Sequence, residues 1–253
     1  MLAIGHVSKH FGGLRALRDV NVEAERSCVT ALIGPNGAGK STLMNVVSGF
    51  IGADEGSVTI DGVETLGLPP HRICASGVVR TFQNLQMFTD MRTVEAVATG
   101  RARHRKTSLV ANLLMTPAVR REEKEAFTVA RDLLRRMDVP ESFWERRAGD
   151  LPYGFQRRVE IARALATEPT YLLLDEPAAG LNDKESSALG EALQKLADEG
   201  IGVVLIEHDI ELVMNISSRI FVMDAGTVIA SGTPSEVRRN PDVVAAYLGE
   251  EHD

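Results

Sequence analysis

The chain has 253 residues, 44% of them hydrophobic and 25% charged, with a formal net charge of -7. That length supports one large domain, or a core with a subdomain, of ordinary globular composition. The acidic balance argues against general nucleic-acid binding, no apolar run approaches the ~18 residues of a membrane span, and no basic leader with a long apolar core announces a signal peptide.

Residues 2–7 and 19–24 read as strands, with Val20, Val22 and Ala24 on one side. Between them His10 to Leu17 reads as a turn carrying Phe11. The apolar run Val29 to Ile33 reads as a buried strand, and Leu43 to Val47 as the early part of a helix. Joining them is Gly34-Pro35-Asn36-Gly37-Ala38-Gly39-Lys40-Ser41-Thr42, the G-x-x-x-x-G-K-S pattern in the strand–loop–helix context that a phosphate-binding loop requires. The glycines let successive N–H groups curl around an anion, and the helix start adds the positive end of its dipole. Lys40 can reach the β- and γ-phosphates of ATP, and the Ser41 hydroxyl can ligate Mg²⁺. Phe11, upstream of this loop, is either a core residue or a ring that stacks on adenine; spacing leaves both open.

Gly52 to Gly56 punctuates the chain, Ser57 to Ile60 alternates as a strand, and Asp61-Gly62 signals a hairpin turn. Pro69 and Pro70 open a short helix, and Val78 to Phe82 forms a strand with Gln83 at its end, placed to offer a carboxamide to a metal or water. Cys28 and Cys74 have no metal-ligand spacing and read as buried free thiols. The six histidines form no cluster, so no structural metal site is expected.

From about 93 to 167 the pattern is helical. Thr116-Pro117 is a helix start, followed by an apolar face of Ala126, Val129, Ala130, Leu133, Leu134 and Met137. The charged run Arg120 to Glu125 reads as a solvated face, and Trp144 as a packing anchor. The basic cluster at 101–106 reads as a polar loop, with a phospholipid or partner contact as its alternative.

Tyr171-Leu172-Leu173-Leu174-Asp175-Glu176 is a buried parallel strand that delivers two carboxylates to the carboxyl edge of a sheet, where ligands bind. A helix with Leu189, Ala192, Leu193, Leu196 and Ala197 on one face stops at Gly200. Val203 to Ile206 then runs into Glu207-His208-Asp209. Residues 219–223 and 227–230 flank a closing hairpin turn, and Thr233-Pro234-Ser235-Glu236 is a capping box. Together these pieces suit phosphoryl chemistry. Asp175 would hold Mg²⁺ with Ser41, Glu176 would take the proton of an attacking water, and His208 could hydrogen-bond the γ-phosphate. Asp150 to Arg158 leads into a helix at 159–165 as a second anion site, far in sequence from the first and suited to a nucleotide held by another subunit.

The ordered set of phosphate loop, Gln83, Leu151-Pro152-Tyr153-Gly154-Phe155-Gln156-Arg157-Arg158, Leu172 to Pro177, Gly180-Leu181-Asn182 and Glu207-His208 resembles the ATP-binding subunits of ABC transporters across essentially the whole chain. The resemblance implies an α/β fold: a P-loop NTPase core (1–83 and 168–253) with an antiparallel β subdomain, and an inserted α-helical subdomain at about 84–167. It implies that Phe11 stacks on adenine, that Gln83 faces Mg²⁺ and a membrane partner, that His208 is the switch histidine, and that 151–155 is the signature loop. Two such subunits, alike or different, would pair head-to-tail, each signature loop closing on ATP held by the other. Finer phrases, Phe11 to Leu17, Val78 to Asn84, Pro177 to Asn182, Tyr153-Gly154 and the extra segment at about 101–120, resemble the LivG-type subunits of branched-chain amino acid importers. Urea, amide and other amino-acid importers use close relatives. Implied partners are transmembrane permease subunits, a second ATP-binding subunit and, indirectly, a solute-binding protein; the implied place is the cytoplasmic face of the membrane, as a peripheral subunit. The alternatives are a soluble ABC ATPase, which usually has two cassettes or a coiled-coil insertion, and a small-molecule kinase, which leaves 151–163 without a role.

Against the usual Leu-Ser-Gly-Gly-Gln signature, Pro152, Tyr153 and Phe155 replace serine, glycine and glutamine, and Asn182 stands where aspartate is common. Proline offers no hydroxyl and no N–H. A signature half-site weakened by about 1.5–3 kcal/mol is therefore expected.

Overall fold

The computed structural model describes residues 1–81, 89–105 and 107–248, and the chain forms two compact units. The first comprises Met1–Arg80, Thr170–Ala179 and Ser186–Asp253; the second comprises Thr81–Pro169 and Gly180–Glu185.

The first unit holds two sheets. Strands β1 (Leu2–Phe11), β2 (Leu14–Ala24), β4 (Glu55–Ile60) and β5 (Val63–Glu64) form an antiparallel sheet in the order β2-β1-β4-β5. The other sheet has the order β10-β9-β3-β8-β7-β6, built from β3 (Val29–Ile33), β6 (Val78–Arg80), β7 (Tyr171–Asp175), β8 (Gly202–Ile206), β9 (Arg219–Asp224) and β10 (Thr227–Gly232). Its strands run parallel except β10, which pairs antiparallel with β9. Helix α1 (Lys40–Val47) packs between the sheets. Its Leu43, Met44, Val46 and Val47 join Leu2, Val7 and Val22 from one sheet with Leu32, Leu173 and Ile206 from the other in one core. Strands β3, β7 and β8 are buried at every residue. That burial is why they read as unbroken apolar runs rather than alternating ones.

The β1–β2 hairpin is longer than the sequence suggests. Phe11 pairs with Leu14, so only Gly12 and Gly13 form the turn, and most of the expected 10–17 turn is strand. The register shifts between Ile4 and His10, and His6 and Asp19 take positive φ. These bulges interrupt the two-residue alternation, so the visible pattern stopped at 7 and restarted at 19. Cys28 and Cys74 are free but half-buried rather than buried, since Cys28 lies in the turn before β3 and α2 (Pro70–Ala75) buries only Ile73. Helix α7 (Asp183–Asp198) turns Leu189, Ala192, Leu193, Leu196 and Ala197 inward, and Gly200 (φ 102°) follows its end. Helices α8 (Ile210–Ile216), α9 (Pro234–Val237) and α10 (Pro241–Leu248) complete the unit, α9 opening with the expected capping box of Thr233 and Glu236.

The second unit is helical. Helices α3 (Thr93–Ala98), α5 (Pro117–Arg136) and α6 (Tyr153–Leu165) pack on one another, and α4 (Leu109–Leu113) lies against α5. The α5 face is as its spacing predicts, with Ala126, Ala130, Leu133, Leu134 and Met137 buried, while Val129 is half-buried. Thr116 occupies the cap position of α5, yet its hydroxyl makes no capping bond. Trp144 is a packing anchor: its ring is buried, its indole N–H donates to Val139 O at 3.0 Å, and the Arg135 guanidinium lies 4.9 Å from the ring. In the basic cluster Arg101 is paired with Glu168 at 2.5 Å.

Candidate functional site

Parallel pairing aligns the strand ends. Leu32 of β3 pairs with Ile206 of β8, and Ile206 pairs with Asp175 of β7. The residues that leave these strands, Gly34, Glu176 and Glu207-His208, therefore emerge at one carboxyl edge, where open α/β sheets bind ligands.

The phosphate loop occupies that edge. Gly34 has φ 145°, and a Cβ there would lie 1.9 Å from the Met223 carbonyl oxygen, so the position admits glycine alone. Gly37 and Gly39 have φ of 80° and 99°, and Gly39 approaches the Ala16 carbonyl too closely for a side chain. Gly39 precedes α1 without a side-chain cap, which leaves its first-turn amides facing the cleft. The Lys40 ammonium donates to the carbonyls of Gly34 at 2.5 Å and Pro35 at 2.8 Å, arching back across the loop that it would leave for a phosphate.

A cleft of about 430 Å³ opens over the loop, lined by Phe11, Arg15, Arg18, residues 36–42, Glu176, His208 and Gly226. Phe11 is 49% exposed and lines this cleft, so the hairpin leaves it out of the core. The Lys9 ammonium lies 5.5 Å from the Phe11 ring. Arg15 and Arg18, which the motif reading did not single out, add two guanidinium groups to a cleft suited to a polyanion.

Glu176 carries φ 48°, left-handed backbone that costs a side-chain-bearing residue about 1–2 kcal/mol. Its N–H donates to Ile206 O at 2.9 Å, which holds it at the β8 end. His208 Nε2 lies 3.1 Å from Glu176 Oε1. With a carboxylate as acceptor, that contact is a hydrogen bond in the tautomer that carries its proton on Nε2. Asp175 is ion-paired through Oδ2 with Arg80 at 2.7 Å, both side chains being buried, and Arg80 also donates to Asn45 Oδ1 at 2.7 Å. The Arg80 bond falls on Asp175 Oδ2; a carboxylate oxygen and the Ser41 hydroxyl are hard oxygen donors of the kind that Mg²⁺ takes, so the chemistry of these residues would suit that ion. Arg80 stood in the sequence without a role; the parallel pairing of β6 with β7 is what brings it to Asp175. Gln83 lies outside the described residues.

In the helical unit, Pro152 is the residue before α6, and Tyr153 begins the helix. Leu151 is buried, and Tyr153 is 41% exposed, its ring covering Gly180 closely enough that a Cβ there would sit 3.3 Å away. Phe155 packs edge-on to Phe143 with centroids 5.0 Å apart, and Gln156 donates to the carbonyls of Gly149 and Leu151. Asn182 has a local role: its Oδ1 accepts the Glu185 N–H at 3.0 Å while Glu185 accepts the Asn182 N–H at 3.2 Å, a reciprocal cap on α7.

Comparison with known proteins decides the family. The ABC transporter model matches residues 17–179. The chain belongs to the ABC transporter ATP-binding family. A second model, branched-chain amino acid ATP-binding cassette transporter, matches residues 227–253 of this ABC cassette. The cassette is 47% identical, over 99% of its length and 98% of the relative's, to the high-affinity branched-chain amino acid transport ATP-binding protein BraF of Pseudomonas aeruginosa. It is 45% identical over the same shares to LivG of Salmonella typhimurium. An ATP-binding cassette of an ABC transporter, solved in its ADP conformation, superposes with a TM-score of 0.85 at 32% identity, covering 98% of each chain. A dimeric bacterial ABC transporter cassette superposes with a TM-score of 0.77 at 27% identity, covering 92% of this chain and 99% of that one. The ABC cassette fold is thus shown, and the phosphate loop, Glu176 and His208 line one cleft of it.

Proposed function

We propose that this protein is the ATP-hydrolysing subunit of an ABC importer that takes up branched-chain amino acids. The observation that carries hydrolysis is the 3.1 Å contact between Glu176 and His208 on the cleft that the phosphate loop floors. Lys40 and the loop amides bind and orient the β- and γ-phosphates. Mg²⁺, held by Ser41, Asp175 and Gln83, would neutralise phosphate charge. Glu176 accepts the proton of the water that attacks the γ-phosphorus in line with the leaving β-phosphate oxygen. His208 holds the Glu176 carboxylate toward the cleft and is the group placed to register loss of the γ-phosphate.

The solute assignment rests on relatives identical at 45–47% over the whole chain and on the match at 227–253. Among the described residues no helix is long and apolar enough to cross a membrane. In this reading permease subunits form the path, and this subunit sits peripherally at the cytoplasmic face. A second ATP-binding subunit would bring its own signature loop to the cleft, while residues 151–155 serve the partner's ATP; a solute-binding protein completes the system. The test is reconstitution with permease subunits of a branched-chain amino acid importer, followed by ATP-driven uptake of radiolabelled leucine, isoleucine and valine against urea and short amides. Uptake of these three, lost with Glu176→Gln, is expected; uptake of urea or amides alone would overturn the solute assignment.

A further inference from the structure

We propose that Glu207 is a positioning residue for hydrolysis: its buried carboxylate ties the backbone beyond Glu176 to the backbone of His208 and so fixes the two catalytic side chains relative to each other. This rests on Glu176 being the base. Glu207 ends a strand of five buried residues and is itself only 4% exposed. Backbone amides hold it. Oε1 accepts the Ala178 N–H at 2.6 Å and Oε2 accepts the His208 N–H at 3.0 Å. Burial pushes its pKa up, while the amides of Ala178, His208 and Asp209 favour the ionised form and the Asp209 carboxylate opposes it.

A buried carboxylate is a costly way to end a strand unless its bonds fix something. Here they close a ring. Glu176 N–H is anchored on Ile206 O at 2.9 Å. Two residues later, Ala178 is anchored on the Glu207 side chain, and Glu207 grips the His208 amide. His208 Nε2 meets Glu176 Oε1 at 3.1 Å. The left-handed Glu176 backbone (φ 48°) is therefore flanked by two attachments to the end of β8, one of backbone and one supplied by a side chain. Left-handed backbone on a side-chain-bearing residue persists only where its surroundings over-determine it. Without Glu207 the Glu176–Ala178 turn loses its second anchor and the carboxylate loses its fixed aim. The four bonds of this ring all lie among residues 176–178 and 206–208, so ATP affinity is the readout that should change least.

The experiment compares Glu207→Ala, Glu207→Asp and Glu207→Gln in the full chain. It measures ATPase kcat and KM, ATP affinity by titration, and the thermal midpoint. Alanine removes both bonds and aspartate is one methylene short of Ala178, so kcat should fall about 10- to 100-fold in each, with ATP affinity within about twofold. Glutamine keeps one carbonyl oxygen for Ala178 and should recover part of that loss; a mere packing role is told apart by kcat falling while the thermal midpoint and ATP affinity hold. Unchanged kcat in the alanine and aspartate variants, or losses in ATP affinity and thermal midpoint that match the loss in kcat, would overturn the proposal. Should alanine fail to fold, the aspartate and glutamine variants decide alone by the same criteria. Glu176→Gln run in parallel separates the premises: turnover surviving there rejects the base assignment, whereas its loss with full activity in Glu207→Ala rejects only the positioning role.

Discussion

The phosphate loop and the signature segment both lead into helices whose first residue follows a position with no side-chain cap, Gly39 for α1 and Pro152 for α6. They are built by opposite means. At 34–39 the backbone does the work: three glycines take positive φ, and at Gly34 and Gly39 neighbouring carbonyls fill the space of any Cβ. At 151–157 side chains do it. Tyr153 covers Gly180, Phe155 meets Phe143, and Arg157 is buried against Glu160 at 2.9 Å. A loop that must wrap a phosphate needs amides and room, whereas a surface that must meet a second molecule needs a fixed shape.

The sharpest way to break this contrast is to remove chemistry from the cleft while keeping its shape. Glu176→Gln preserves size and hydrogen-bonding reach but cannot take a proton. Steady-state ATPase should fall roughly 10²–10⁴-fold, the usual contribution of general acid–base catalysis, while ATP affinity stays near the parent's. Normal turnover in this variant would remove Glu176 as the base.

In the signature helix the equivalent blow is structural. Arg157 and Glu160 are each about 2% exposed as side chains. Arg157→Met would leave Glu160 buried beside a thioether, and breaking such a pair costs about 3–5 kcal/mol. A lowered unfolding midpoint with the phosphate loop's ATP affinity intact is expected. Equal losses in both would mean that the two regions are not independently built.

Pro152→Ser probes whether the fixed surface gave up phosphate contact for rigidity. A serine before α6 regains a hydroxyl and an N–H, and one charge-assisted bond contributes about 1.5–3 kcal/mol. ATP-driven association with the partner cassette, measured by sedimentation in the hydrolysis-deficient background, should tighten by roughly 10- to 100-fold. No change would show that proline costs this half-site nothing.

The two regions also differed in how far they could be read in advance. The backbone of the phosphate loop was legible from its glycine spacing, because Gly34, Gly37 and Gly39 take positive φ and carbonyls fill the Cβ space at Gly34 and Gly39. The buried strands were legible as well, since full burial leaves an apolar run. Side-chain networks were not. Arg80 on Asp175 and Glu207 on Ala178 join residues that are distant in the chain, and no period marks such partners, whereas Asn182 and Glu185 do stand at capping-box spacing. The bulges in β1 and β2 hid most of the hairpin for a related reason: positive φ at His6 and Asp19 is a property of the sheet's register, not of those residue types.

Phe11 is where these two kinds of legibility meet, and it carries the smallest expected effect. Spacing left it between core and cleft, and the hairpin resolves this: pairing with Leu14 puts it at the turn, 49% exposed, on the wall of the nucleotide cleft. Base–aromatic stacking contributes about 1–3 kcal/mol. A ring that is half in water before binding lies toward the lower end, because the displaced solvent already covered one face. Phe11→Ala should therefore raise the ATP dissociation constant by about 5- to 20-fold with little change in kcat, since the phosphates stay with Lys40 and the loop amides. Phe11→Tyr should restore affinity, since the π-face is kept. Inorganic triphosphate, which has no base to stack, should bind parent and alanine variant alike. A matching loss for triphosphate would mean that Phe11 supports the loop rather than the base, and the side-chain half of the contrast would then extend into the phosphate cleft.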